Sequence, residues 1–364
     1  MNLSSFTTGT IFEALFISFV SCLIITFLST KFAVQTKLLD IPASQPHKVH
    51  QKPVPISGGL AFFVTLWLCS MLMRHDLSSP IIKLLIAATI IFIFGLWDDY
   101  SPLKPYQKII GQTVASSVLI AFGTQAQIVE SFPLPFQLNP YLVKSIDIGI
   151  TLFWLLFITN AFNLIDSMDG LMVGIASWTI GFFILAAIDS KQWPLAFFCA
   201  IMLGSCILLT FFNAHPAFIF FGDSGAQTIG FLLAAIAILY NPPERLQSNT
   251  WFMPILMLGI PIFDTVLVVL SRRRRGLHFY SSGTDHTYHR LVKLGLSSVQ
   301  AVQIMLLAAF ALEILAFLAI SQTPLRANII FGIVLIFGIL GIVFFESEKV
   351  WKKENSTQNT EQRQ

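Results

Sequence analysis

The feature that most limits this chain is a recurrence. Stretches of about 20 apolar residues, the length that crosses a bilayer as a helix, return from one end to the other. Eleven such windows are read, at 11–30, 57–73, 80–97, 108–123, 146–162, 169–188, 194–212, 225–240, 251–270, 298–320 and 327–345. In lipid a spanning segment must satisfy its own backbone polar groups, so each window predicts a helix. Charge content agrees, because only 11% of the residues are charged, against roughly 25% in soluble domains. The expected fold class is therefore an all-α polytopic membrane protein with about eleven transmembrane helices. Its expected organisation is one integral-membrane domain over 1–350 and a polar cytoplasmic tail over 351–364. The first window has no basic segment before it and no small-residue cleavage site, so it reads as a retained helix. Cys22, Cys69, Cys199 and Cys206 lie inside apolar windows without a C-x-x-C pair, and read as small buried hydrophobes.

Eleven crossings put the termini on opposite sides. Sixteen of the 22 Lys and Arg fall on the side of the 31–56, 98–108, 160–168, 213–224 and 271–297 loops, and six on the other. The positive-inside rule makes the richer side cytoplasmic. Asp98, Asp99, Asn160, Asn163, Asp166, Asp169, Asn213, Asp223, His286 and His289 all map to that same side. Polar groups gathered at one membrane surface, in a chain without an internal repeat, point to an enzyme whose active site is built from cytoplasmic loops. A transporter would place them near the midplane, within repeated halves. No nucleic-acid partner is expected.

Four stretches carry the chemistry. In "GLWDDYSPLKPYQK" an apolar run stops on Asp98 and Asp99. Carboxylates are disfavoured at a helix C-terminus, so a positive group is expected nearby, with Lys104, Lys108 or a bound cation as candidates. In "NAFNLIDSMDGL" the three-residue spacing of Asn160, Asn163, Asp166 and Asp169 would stack them on one helical face. They could read a base and ribose, or cap helices at a turn made by Gly170. In "NAHPAFIFFGDSGAQTIGF" the small residues around Asp223 would let a phosphate approach the free N–H groups of a helix start, while Asp223 would hold a metal shared with the phosphates. Ser224 may be read instead as the helix cap. In "DHTYHRLVKLGLS", His286, His289 and Arg290 suit a diphosphate. Arg272–Arg275 read as topology determinants and headgroup contacts. "HKVHQKPVPISGG" reads either as a phosphate-contacting loop or as a positive-inside loop. Asp264, within an apolar window, is a functional candidate or a bond to a neighbouring helix.

Taken in order, these six elements (with "PIFDT" the fifth) resemble the polyprenyl-phosphate N-acetylhexosamine-1-phosphate transferases, the MraY/WecA/TagO family, and most of all its WecA-like group. The resemblance covers about 45–297. It implies transfer of a sugar-1-phosphate from a UDP-N-acetylhexosamine to a polyprenyl (undecaprenyl) phosphate in the bacterial inner membrane, with release of UMP. It implies Mg²⁺, with Mn²⁺ as a substitute, and a homodimer as a compatible assembly. By motif, Asp223 and Asp99 would be metal ligands, and Asp98 and Asp99 the acidic pair at the reacting phosphates. Lys48, Lys108, Asn163, Asp166, Asp169, Asn213 and Phe220 would contact substrate, and His286, His289 and Arg290 would hold the diphosphate or sugar. The WecA-like motif reads H-x-H-H, whereas Tyr288 stands here at the middle position. The G-T-P-T-M-G-G and triple-His strings of MraY are absent, which argues against a muramyl-pentapeptide donor.

Overall fold

The computed structural model describes residues 7–41, 52–73, 80–131, 139–241, 252–278, 283 and 285–347. The chain divides into two compact units, Met1–Trp251 and Phe252–Gln364. The first contains α1 (Thr8–Gln35), α2 (Gly58–Leu72), α3 (Pro80–Tyr100), α4 (Pro105–Ala121), α5 (Ile128–Ser131), α6 (Pro140–Ile165), α7 (Leu171–Asp189), α8 (Trp193–Asn213) and α9 (Gly222–Leu239). The second contains α10 (Met253–Met257), α11 (Gly259–Arg274), α12 (Thr287–Lys293), α13 (Ser298–Ile320) and α14 (Pro324–Phe345).

Every apolar window falls on helix, but the windows are not equivalent. Among the described residues eight helices are long and apolar enough to cross a membrane: α1, α3, α6, α7, α8, α9, α13 and α14. Helix α2 has 15 residues and α4 has 17. The window read as one span at 251–270 is broken at Leu258 into α10 and α11. Pro261 explains the break: it has no N–H to give the carbonyl of Met257, and its ring crowds that carbonyl.

In the first unit α9 is central, packed against α2, α3, α6 and α7. Lipid tails are as apolar as leucine, so helices in a membrane associate by close packing rather than by escape from water. Small residues supply the closeness. A methyl group on Gly59 of α2 would stand 2.4 Å from the Gly225 nitrogen, and one on Gly95 of α3 would stand 2.5 Å from Ser224 Cα. Both helices therefore lie against the first turn of α9. A short antiparallel pair, Leu39–Asp40 with Val54–Pro55, leads into α2, and the next residue, Ile56, bridges in parallel to Phe220. The backbone of Phe220 donates to Pro55 O and accepts from Ser57 and Gly58. This fixes the chain just before α9 begins.

In the second unit α13 packs against α10, α11, α12 and α14. Within α14 only Ala327 is buried, as expected of a helix that faces lipid. All four cysteines are free and buried.

Candidate active site

Four helix ends of the first unit bring the acidic and amide residues together. Asp98 and Asp99 occupy the last turn of α3, Lys108 the first turn of α4, Asn163 the last turn of α6 and Asp223 the first turn of α9. These groups sit on terminal helical turns rather than on loops, so the packed helices set their directions.

The two adjacent aspartates have different surroundings. Asp98 Oδ2 lies 2.5 Å from Lys108 Nζ, and its Oδ1 accepts the Leu103 N–H at 2.5 Å. The same ammonium lies 2.6 Å from Asp223 Oδ2, which also accepts from Gln227 Nε2 at 3.0 Å and Asn163 Nδ2 at 3.3 Å. Lys108, and not Lys104, thus supplies the positive charge that the acidic pair called for, and it bridges two carboxylates from different helices. Asp99 turns the other way. Its Oδ1 accepts from Asp223 N at 2.7 Å, and its Oδ2 from Ser224 N at 3.1 Å and Ser224 Oγ at 2.6 Å.

This corrects one expectation. The N–H groups at the start of α9 do receive an anion, but it is the protein's own Asp99 and not a phosphate. The glycines there give room to α2 and α3. Gly222 has φ +69, and a methyl on it would meet the Asp99 carboxylate at 2.6 Å, so both its left-handed backbone and its missing side chain are used. Ser224 is not the cap, and its hydroxyl joins the amides in donating to Asp99.

A second expectation is also revised. Asn160 and Asn163 share a face of α6, but the helix ends at Ile165, where Asp166 leaves helical geometry with ψ 55. Asp166 and Asp169 therefore belong to the turn before α7, which Gly170 enters with φ +76. Asp169 pairs with His215 Nδ1 at 2.8 Å and accepts from Ala217 N. Asn213 is buried, with its amide engaged by backbone: Oδ1 accepts from Gly170 N and Nδ2 donates to Ile219 O. It fastens two loops together. Phe220 contributes the backbone pairing described above. Lys48 lies outside the described residues, as do His47, His50 and the tail.

Asp166 makes no hydrogen bond among the described residues. Withdrawal from water, followed by the charges of Asp223, Asp99 and Asp169, pushes its carboxyl up to about 8. An acidic group so placed calls for a cation. No three His, Cys, Asp or Glu side chains converge into a ready cage among the described residues. Mg²⁺, however, is commonly held by one or two carboxylates plus substrate phosphates. Asp223 and Asp166, close enough for the charge of one to act on the other, offer hard oxygens of that kind.

Comparison with known proteins shows what the chain is similar to. Glycosyl transferase family 4 matches residues 81–241, which hold every group of this cluster. The chain is 28% identical over 327 residues, 89% of each chain, to a probable undecaprenyl-phosphate N-acetylglucosaminyl 1-phosphate transferase of Bacillus subtilis (strain 168). It is 28% identical over 308 residues, 77% of each chain, to a decaprenyl-phosphate N-acetylglucosaminephosphotransferase of Mycobacterium leprae. It is 28% identical over 269 residues to a phospho-N-acetylmuramoyl-pentapeptide-transferase of Bacillus cytotoxicus, covering 67% of this chain and 78% of the relative. Across most of its length the chain is thus similar to polyprenyl-phosphate hexosamine-1-phosphate transferases.

The histidine motif lies in the second unit. His286 is 6% exposed, and its Nδ1 lies 2.7 Å from Asp264 Oδ2. Asp264 Oδ1 accepts from Thr287 N at 2.6 Å, so this buried carboxylate orients the imidazole and caps α12. Tyr288, which departs from the usual motif, is buried with its ring 5.5 Å from that of His286 and 4.3 Å from that of His289. Arg290 is 3% exposed, donates to Asp285 O and Phe345 O, and forms an ion pair with Glu346, Nη1 to Oε1 2.9 Å. It ties the motif to the end of α14. Sequence reasoning missed Arg272 and Asp285. Arg272 Nε lies 3.1 Å from Asp285 Oδ2, and Arg275 pairs with Oδ1. Burial raises the Asp285 carboxyl, but the two guanidinium groups outweigh it and hold the group below its usual range. The signal was in "DHTYHR", whose aspartate had no assigned partner.

Removing Arg290 leaves Glu346, at a largely buried position, with Arg274 as its one remaining ion-pair partner among the described residues, and frees two backbone carbonyls. Breaking buried pairs from one side costs about 3–5 kcal/mol. Arg290→Ala is therefore expected to lower the melting temperature in detergent by several degrees, with Arg290→Lys intermediate. Melting temperatures equal to wild type would show that Arg290 does not anchor α14.

Proposed function

We propose that this chain transfers N-acetylhexosamine-1-phosphate, with GlcNAc-1-phosphate as the first choice, from a UDP-sugar to undecaprenyl phosphate. UMP is released and a lipid-linked surface glycan is started, such as O-antigen for a lipopolysaccharide. The observation that carries this reading is the Asp98–Lys108–Asp223 bridge beside Asp166, at the ends of membrane helices. Two phosphate-bearing substrates need positive charge where they meet, and the acceptor's chain lies in lipid. The named activities of the Bacillus subtilis and Mycobacterium leprae relatives support the GlcNAc donor. The charge asymmetry of the loops supports a cytoplasmic site in a bacterial inner membrane.

In the reaction an oxygen of the lipid phosphate attacks the phosphorus that bears the sugar. The bridging P–O bond to the nucleoside phosphate breaks, and UMP leaves with that electron pair. Asp223, with Asp98 or Asp166, would hold the Mg²⁺ or Mn²⁺. When bound, such an ion neutralises phosphate charge. Lys108 supplies a fixed positive charge between the carboxylates. A phosphate monoester has its second pKa near about 6, so the acceptor is largely dianionic at neutral pH and needs no base. Both oxygens of Asp98 are engaged, by Lys108 and the Leu103 N–H, which supports an orienting role.

The test is direct. Purified protein with UDP-GlcNAc, undecaprenyl phosphate and Mg²⁺ is expected to release UMP and form a lipid diphosphate sugar. No UMP from any UDP-hexosamine derivative overturns the reading, and release only from a muramyl-pentapeptide donor reassigns the sugar.

A further inference from the structure

Beneath the charged groups lies a second layer that the proposed reaction does not use. Each of three helices carries a polar residue in the site and an amide one turn deeper. On α4 these are Lys108 and Gln112, on α6 Asn163 and Asn160, and on α9 Asp223 and Gln227. Positions three or four apart share a helix face, so the deeper amides meet as the upper groups do. Gln112 is 1% exposed and Gln227 is 2% exposed.

The amides form one directed chain. Asn160 Nδ2 donates to the backbone carbonyl of Leu156 at 2.7 Å and to Gln112 Oε1 at 2.7 Å. Gln112 Nε2 donates to Gln227 Oε1 at 3.0 Å and lies 3.3 Å from Asn160 Oδ1. Gln227 Nε2 donates to Asp223 Oδ2 at 3.0 Å. An amide side chain can usually be turned end for end, but here both ends of the chain are acceptors only. The Leu156 carbonyl requires an NH₂ from Asn160, the Asp223 carboxylate requires one from Gln227, and the two demands set the same polarity through Gln112.

We propose that Gln227, Gln112 and Asn160 are positioning residues that hold the Asp223 carboxylate in register with Lys108 and Asn163. The bland alternative is a polar ladder that only joins α4, α6 and α9, as buried amides do in many membrane proteins. The two differ in what a broken link changes. Outer partners of a reacting group commonly contribute about ten- to a hundredfold to activity, without contacting substrate. Links that act as one unit also lose activity once, not twice.

The experiment rests on the proposed reaction for one of its two readouts. Full-length wild type, Gln227→Met, Gln112→Met, the double variant and Ser116→Ala are purified in detergent. Ser116→Ala, one turn deeper on α4, controls for packing. With UDP-GlcNAc and undecaprenyl phosphate, kcat is expected to fall about ten- to a hundredfold in Gln227→Met. It should fall about tenfold in Gln112→Met and no further in the double variant than in Gln227→Met. KM for the UDP-sugar stays within about twofold, since uniform binding is untouched. Unchanged kcat, or losses that multiply and follow melting temperature, overturn the proposal. Carbodiimide modification of Asp223, read by peptide mass spectrometry, needs no turnover. It is expected to be faster in both Met variants than in wild type and Ser116→Ala, and equal rates overturn the proposal. If wild type releases no UMP, the proposed reaction fails, and the labelling rates decide the positioning role on their own.

Discussion

Asp223→Asn is expected to reduce turnover by about 10³-fold, the upper range for removing a preorganised electrostatic group from a site. The substitution keeps the side chain's volume and takes away its charge. Lys108 then pairs with Asp98 alone, and the new amide presents its own hydrogens to donors from Lys108, Asn163 and Gln227 in one of its two orientations. The fold is expected to survive, because the Asp99 cap uses the Asp223 backbone and not its side chain. The check is UMP release across a Mg²⁺ titration, with a melting curve alongside. Undiminished activity at limiting Mg²⁺ would remove Asp223 as a ligand.

Asp98 and Asp99 are expected to separate cleanly under substitution, despite being neighbours. Asp99→Ala takes the acceptor from two backbone N–H groups and one hydroxyl at the start of α9. Losing a helix cap costs about 0.5–2 kcal/mol, and each buried donor left unmade adds about 1–3 kcal/mol. A melting temperature several degrees lower is expected, with activity lost as well, because Asp223 sits on the turn that loosens. Asp98→Asn is expected to lower kcat by about 10²-fold with little change in melting temperature. Equal melting temperatures for the two variants would refute the division of roles. Wild-type turnover of Asp98→Asn across pH 6–9 would remove both its orienting and its basic role.

Much of this was legible in the residues. Apolar length alone located the helices, since a bilayer leaves the backbone no other solution, and Pro261 marks the one window that is broken. The unfavourable placement of two carboxylates at a helix end announced a positive partner. Their different orientations were not legible. Adjacent residues on a helix point about 100° apart, but that Asp98 meets nearby Lys108 while Asp99 meets α9 depends on how α9, far along the chain, packs against α3. Asn213 and Arg290 illustrate the same limit. Both are polar residues in motif positions, and both are held by backbone groups that no pattern in the sequence brings together. The amide layer could have been found: Gln112 and Gln227 each stand four residues after a candidate site residue, inside otherwise apolar runs.

The Asp99 cap also bears on how the protein is made. Its donors lie 124 and 125 residues further along the chain. While α3 enters the membrane, the acidic pair therefore sits at a negative helix end with neither α9 nor Lys108 yet delivered. Lys108 follows almost at once, but the cap waits for six more helices. Contacts of such long range form late. The catalytic geometry should thus be among the last features acquired during biogenesis, and a chain stalled before Gly222 would carry α3 without its site.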